Sequence, residues 1–178
     1  PDSEFIESIR INTQVLRYIE IGKPDRAHVY DSNDYDDLLH AYLLPSILST
    51  YGLPTQIVLS TETSSAEPTS PDYFSIWLLY PTRGAIIQYK GTAEIKGNSI
   101  GACPSDTFVS IWLVDPGNIK LYENTLISAT GHNDIVTGSP YYKSTTESIG
   151  MSMEEFYEIF KNPTDHCIES PLDIWPEP

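Results

Sequence analysis

"YFSIWLLYPTRGAIIQYKG", residues 73–91, is the stretch on which the fold turns. Two runs of β-branched, aromatic and aliphatic residues flank Pro81-Thr82-Arg83-Gly84, a tight-turn sequence. They read as a strand, a turn and a second strand ending near Gly91, which is an antiparallel hairpin. Downstream, "FVSIWLVDPGNIKLYENTL", residues 108–126, repeats the design. Ser75-Ile76-Trp77-Leu78 recurs as Ser110-Ile111-Trp112-Leu113, and each copy meets a proline three residues on, Pro81 or Pro116. A second hairpin through "DPGN" follows, so the sheet has four or more antiparallel strands. The repeated word fits a duplicated binding unit, and it equally fits buried strands converging on a small vocabulary.

Upstream, "LPSILSTYGLPTQIVLS", residues 44–60, is a corner between helix and strand. Pro45 suits a first helical turn, where its missing N–H is not needed. Ile47, Leu48 and Tyr51 share one side of that helix. Gly52 stands where helices close with positive φ, Pro54 prevents resumption, and "TQIVLST" is a strand. Further upstream, "VLRYIEI", residues 15–21, is another strand, and the residues before Tyr18 also carry a short helical pattern. Residues 61–72 lack large apolar side chains and read as a polar loop. "TAEIKGNSIGAC" adds a short strand and a turn at "KGN". Residues 128–150 read as loop. Ser152 and Glu155 then form a capping box for a helix bearing Met153, Phe156, Tyr157 and Phe160. The tail 161–178, with its prolines, reads as extended and pinned by Cys167 and Trp175. These elements predict an α+β fold, one domain over 1–178, with two or three short helices packed on one face of the sheet.

Charge narrows the functional classes. There are 25 acidic and 10 basic residues, a net charge of −15. Such a surface repels phosphate backbones and anionic headgroups, so nucleic acid is excluded as a partner class. No apolar run reaches the roughly 18 residues of a bilayer-spanning helix, which excludes direct membrane insertion of this segment. The sequence begins at Pro1, so a leader removed upstream is compatible with it. Cys103 and Cys167 are the two cysteines, each beside turn formers. Even parity and an acidic, tyrosine-rich composition predict a Cys103–Cys167 disulfide and an extracytoplasmic location: secreted, periplasmic or surface-anchored.

Asp31, Asp34, Asp36 and Asp37 cluster as a hard cation would require, but Tyr35 and Asp36 occupy positions that a calcium loop gives to a ligand and a glycine. A helix entry explains the cluster as well. His132 and Asp134 in "GHND" have the types for metal binding or acid–base work. Cys103, Cys167, His132 and His166 have the types for zinc without its spacing. Glu154 and Glu155 are adjacent on a helix and point apart, so cap chemistry accounts for them and a glycosidase pair does not. No nucleophile elbow, phosphate loop or dinucleotide fingerprint occurs. No catalytic residue, metal ligand or cofactor site is therefore assigned. Trp77, Trp112 and Trp175, with 12 tyrosines, supply aromatic surface for a core or an interface.

"LPSILSTYGLPTQIVL" followed by "FSIWLLYPTRGAIIQY" resembles the SmpA/OmlA outer-membrane lipoprotein family, in which a helix ends in a glycine-proline corner and antiparallel strands pack against it. "GMSMEEFYEIF", residues 150–160, is similar to the start of that family's helix motif, here near the other end of the chain. The same "YGxP" corner resembles one in uncharacterised exported bacterial proteins. The resemblance implies an envelope location and scaffolding or inhibitory binding rather than catalysis. No lipobox cysteine is visible, and no functional residue carries over. The expected function is an extracytoplasmic, non-catalytic protein-interaction or scaffolding domain, or a subunit of a cell-surface or envelope assembly, with another protein or a second copy of this chain (self-assembly) as partner. The alternatives are a metal-assisted hydrolase using Asp31, Asp34 or His132, and a small-ligand carrier lined by the sheet aromatics.

Overall fold

The hairpin at residues 73–91 forms as its sequence predicts. In a computed structural model describing residues 16–21, 41–62, 71–104, 107–130, 139–164 and 166–176, Tyr73–Tyr80 (β3) and Ala85–Thr92 (β4) pair antiparallel. A 3-10 turn, Pro81–Arg83, joins them through Gly84 at φ 63°. Gly84 is required twice over, because a Cβ there would lie 2.1 Å from the Val114 carbonyl oxygen. That close approach lets Val114 N–H donate to the Gly84 carbonyl at 2.8 Å.

Outward from the hairpin, Gln56–Glu62 (β2) pairs with β3, and Thr107–Leu113 (β7) pairs with β4. Leu16–Ile21 (β1) lies beyond β7, and Tyr142–Ser144 (β8) lies beyond β2. The order is β1-β7-β4-β3-β2-β8, antiparallel throughout. Glu94–Lys96 (β5), Ser99–Ala102 (β6) and Ile168–Pro171 (β9) make a second antiparallel sheet. The helices are Leu44–Tyr51 (α1), Ile119–Thr130 (α2), Thr145–Ile149 (α3) and Met153–Phe160 (α4). The fold is α+β.

Two apolar clusters divide the main sheet by strand alternation. Leu59, Phe74, Ile76, Leu78, Ile87, Tyr89 and Ile111 point to one face, called A, where α1, α4 and the β6–β9 pair cover them. Val58, Trp77, Leu79 and Ile86 point to face B, against Tyr122 and Leu126 of α2. The helices thus lie on both faces, which corrects the expectation of one. The central strands are apolar at both parities, as buried strands must be when each face is covered.

α2 is a second correction, since "NIKLYENTL" reads as a strand from composition. Asn118 accepts from Leu121 N–H at 3.0 Å and opens a helix instead. Tyr122, Leu126 and Ala129 then follow at helical spacing on face B. There is accordingly no hairpin through "DPGN". The two Ser-Ile-Trp-Leu words are slipped by two residues across β4: Ser75 pairs with Lys90, whereas Ser110 pairs with Gln88. They are alike because both strands send Ile and Leu to face A and Ser and Trp to face B.

Residues 128–150 also hold more structure than expected. α2 continues to Thr130, β8 adds to the sheet edge, and Ser144 with Glu147 caps α3. The polar loop begins later than 61, because Thr61 and Glu62 belong to β2. The tail is not simply extended. β9 pairs with β6, and Trp175 packs edge-on to Phe74 at 6.1 Å. Trp175 Nε1 donates to Ser170 Oγ at 2.9 Å, which donates to the Ser148 carbonyl at 2.7 Å. The disulfide joins Cys103 to Cys167, one step beyond the Ala102–Ile168 pair. It staples these two strands, not the helix α4. At the corner, α1 carries Pro45 in its first turn, buries Leu44, Ile47 and Leu48, and closes at Gly52 with φ 74°.

Candidate binding site at the polar end of the sheet

Face B changes character along its strands. At one end Trp77 stacks on Trp112 at 5.9 Å and 16°, with Tyr142 edge-on to Trp77 at 6.3 Å. Two steps further along, the inward positions become polar. Ser60 and Glu62 on β2, Ser75 on β3, Gln88 and Lys90 on β4, and Ser110 on β7 share this face by register.

Glu62 is the hub of the polar end. Its Oε1 accepts from Gln88 Nε2 at 3.3 Å and from Ser75 Oγ at 3.4 Å, and its Oε2 accepts from Lys90 Nζ. Gln88 Nε2 also donates to Ser75 Oγ at 3.2 Å. The Lys90 ammonium stands 4.3 Å from the Tyr73 ring centroid, a cation–π contact. Trp77 Nε1 donates to Ser60 Oγ at 3.0 Å, which ties the aromatic end to the polar one. Burial pushes the Tyr142 hydroxyl up to about 12, and the Glu62 charge adds to the shift.

Two groups of this network lack partners among the described residues. An ionised carboxylate only accepts, so the Gln88 amide must turn its nitrogen to Glu62. Its oxygen then has no donor among the described residues. Nor has the Ser110 hydroxyl a partner there. Yet Gln88 is 7% exposed and Ser110 8%. An unpaired buried polar group costs about 1–3 kcal/mol, so two neighbours on one face are a feature to be explained. At the rim, Glu62 and Lys90 keep about a third of their side-chain surface, and Phe108, paired with Lys90 by register, is 49% exposed.

The residues singled out from sequence divide clearly. Cys103 and Cys167 are bonded to each other, so neither sulfur is free for the zinc set. Glu155 accepts from Ser152 N–H at 2.8 Å, and its carboxyl is held below the usual range by that bond and the Ser152 hydroxyl. Glu154 lies exposed in the same first turn. His166 is exposed, its backbone N–H donating to Thr164 Oγ1 at 3.1 Å. Asp31, Asp34, Asp36, Asp37, His132 and Asp134 lie outside the described residues. Among the described residues no three His, Cys, Asp or Glu side chains gather as metal ligands would. A depression beside the disulfide, lined by Glu94, Lys96, Ile100 and Glu169, has a cavity volume of about 10 Å³, room for one water. No helix among the described residues is long and apolar enough to cross a membrane.

The polar cluster was missed in the sequence, although its signal is there. In "AIIQYKG" and "IVLSTE", Gln88, Lys90, Ser60 and Glu62 fall at the register positions that Trp77 shares on face B, whereas Thr61 falls at the other parity. Comparison with known proteins finds no matching family model, curated protein or solved structure.

Proposed function

We propose that this chain is an extracytoplasmic, non-catalytic interaction domain that engages its partner at the polar end of face B. The observation that carries the reading is Phe108, a large aromatic half exposed within a paired strand and set beside the Lys90–Glu62 pair. Aromatic side chains flanked by polar groups are the usual anchors of an interface. Several carboxylates and both thiols among the described residues are engaged structurally. Glu147 and Glu155 cap helices, Glu62 is held by three donors, and the cysteines are bridged.

The disulfide supports an oxidising compartment. The net charge of −15 disfavours nucleic acid and anionic lipid as partners. Scaffolding in a cell-surface or envelope assembly, which the SmpA/OmlA resemblance implies, belongs to the same reading. The test is capture of surface or exported material by the native protein and by Phe108→Ala. The reading requires weaker capture by the variant; equal capture by the two defeats it.

A further inference from the structure

We infer that the polar end of face B is a subsite for a neutral saccharide, an inference that rests on the interaction reading above and names the chemistry of the partner. The donors and acceptors there suit a polyol. The Gln88 carbonyl oxygen accepts, the Ser110 hydroxyl both donates and accepts, and neither is satisfied within the described residues at 7% and 8% exposure. Lys90 places one contact on Glu62 and retains further N–H donors. Sugar hydroxyls are donor and acceptor at once, so one ligand type meets all three demands. Phe108 and Tyr73 supply ring faces on which the C–H side of a pyranose can lie.

Charge selects a neutral ligand. The Lys90–Glu62 pair has no net charge, which offers an anion or a cation no unpaired counter-charge. An anionic glycan would also meet a chain of net charge −15, and a cationic ligand would meet Lys90. Two sources present neutral sugar: free polysaccharide, and glycan carried on a partner protein.

The experiment is affinity electrophoresis of the full chain in gels containing neutral glucan, mannan, galactan or xylan. A parallel arm uses an immobilised glycoprotein bearing neutral glycans, before and after enzymatic deglycosylation. At least one neutral matrix should retain the native protein, and retention should persist from low to high salt. Phe108→Ala, at an exposed position, should bind at least tenfold more weakly with the fold intact by circular dichroism. Ser110→Ala removes a hydroxyl that makes no bond among the described residues, so it should weaken binding while the melting temperature is unchanged or raised. Retention by a polysaccharide gel supports the free polymer as source. Loss of glycoprotein capture on deglycosylation supports the protein-borne glycan. Retention by none of these matrices, retention abolished by salt, or variants that bind like the native protein would overturn the inference. Capture of a deglycosylated protein that still depends on Phe108 would overturn the saccharide and leave the interaction reading standing. Capture of any kind without dependence on Phe108 would remove both.

Discussion

On face A of the main sheet, Phe74, Ile76, Leu78, Ile87, Tyr89 and Ile111 form an apolar surface, closed over by two helices and a disulfide-stapled pair of strands. On face B, the same strands carry tryptophans at one end and an ion pair, an amide and serines at the other. Face A behaves as a core, in which each side chain is replaceable only by one of similar volume and polarity. Face B joins a core to a polar network with two groups unpaired among the described residues, and a protein retains such groups at a cost to its stability. The difference separates the face that holds the fold from the face on which the proposed partner contact is placed.

The broadest test acts on both faces together. Tyr80 and Tyr89 on face A and Tyr122 and Tyr142 on face B have hydroxyls raised by burial, Tyr142 from 10.0 to about 12. A pKa raised in the folded state means the folded form holds its proton more tightly. The associated stability is complete below pH 10 and is lost as the pH climbs through 12. Absorbance at alkaline pH should therefore show these four hydroxyls ionising together with loss of ellipticity. Independent ionisation of all of them near pH 10 would contradict the packing of both faces.

Next in size is a contrast between two phenylalanines. Phe156 is fully buried on face A, and Phe156→Ala should cost about 3–5 kcal/mol in urea denaturation. Phe108→Ala on face B should change stability by about 0.5 kcal/mol or less. Equal losses would erase the distinction between the faces. Replacing both Cys103 and Cys167 with serine opens a bridge that spans 64 residues. The expected loss is about 4 kcal/mol, seen as an earlier thermal transition. Proteolysis should then begin near β9, which lies over face A.

Smaller effects sharpen the picture within face B. Glu62→Leu leaves Ser75 and Lys90 without this acceptor and Gln88 Nε2 with Ser75 alone, and should cost about 1–3 kcal/mol by chemical denaturation. A negligible change would mean that the network is not formed in solution. The smallest effects belong to the helix starts. Ser144→Ala and Ser152→Ala should each cost about 1 kcal/mol. Glu147 and Glu155 have carboxyls lowered by their capping bonds, so their support is present above the ordinary value of 4.5 and fades as the pH falls below it. A thermal-stability profile from pH 6 to 3 on the serine variants should be flatter than that of the native chain.

Local chemistry explains what could be read in advance. The hairpin at Pro81–Gly84, the corner at Pro45 and Gly52, the box at Ser152 and Glu155, and the Cys103–Cys167 bridge each declare themselves within a few residues or by parity. The box at Ser144 and Glu147 is equally local and was hidden by a polar, small-residue neighbourhood. α2 was misread because "IKLYENTLI" satisfies a strand by composition, whereas Asn118 and the spacing of Tyr122 and Leu126 satisfy a helix.

Taken alone, then, the sequence determined the α+β class, the antiparallel hairpin, the ends of α1, the start of α4 and the disulfide, because turn geometry, capping and cysteine parity act over short range. Only the tertiary structure decided which face each strand residue serves, that helices cover both faces, and that Glu62, Gln88 and Lys90 meet. Those contacts join residues 26 and 28 positions apart. Their register depends on pairing across β2, β3 and β4, and no local preference encodes a partner two strands away.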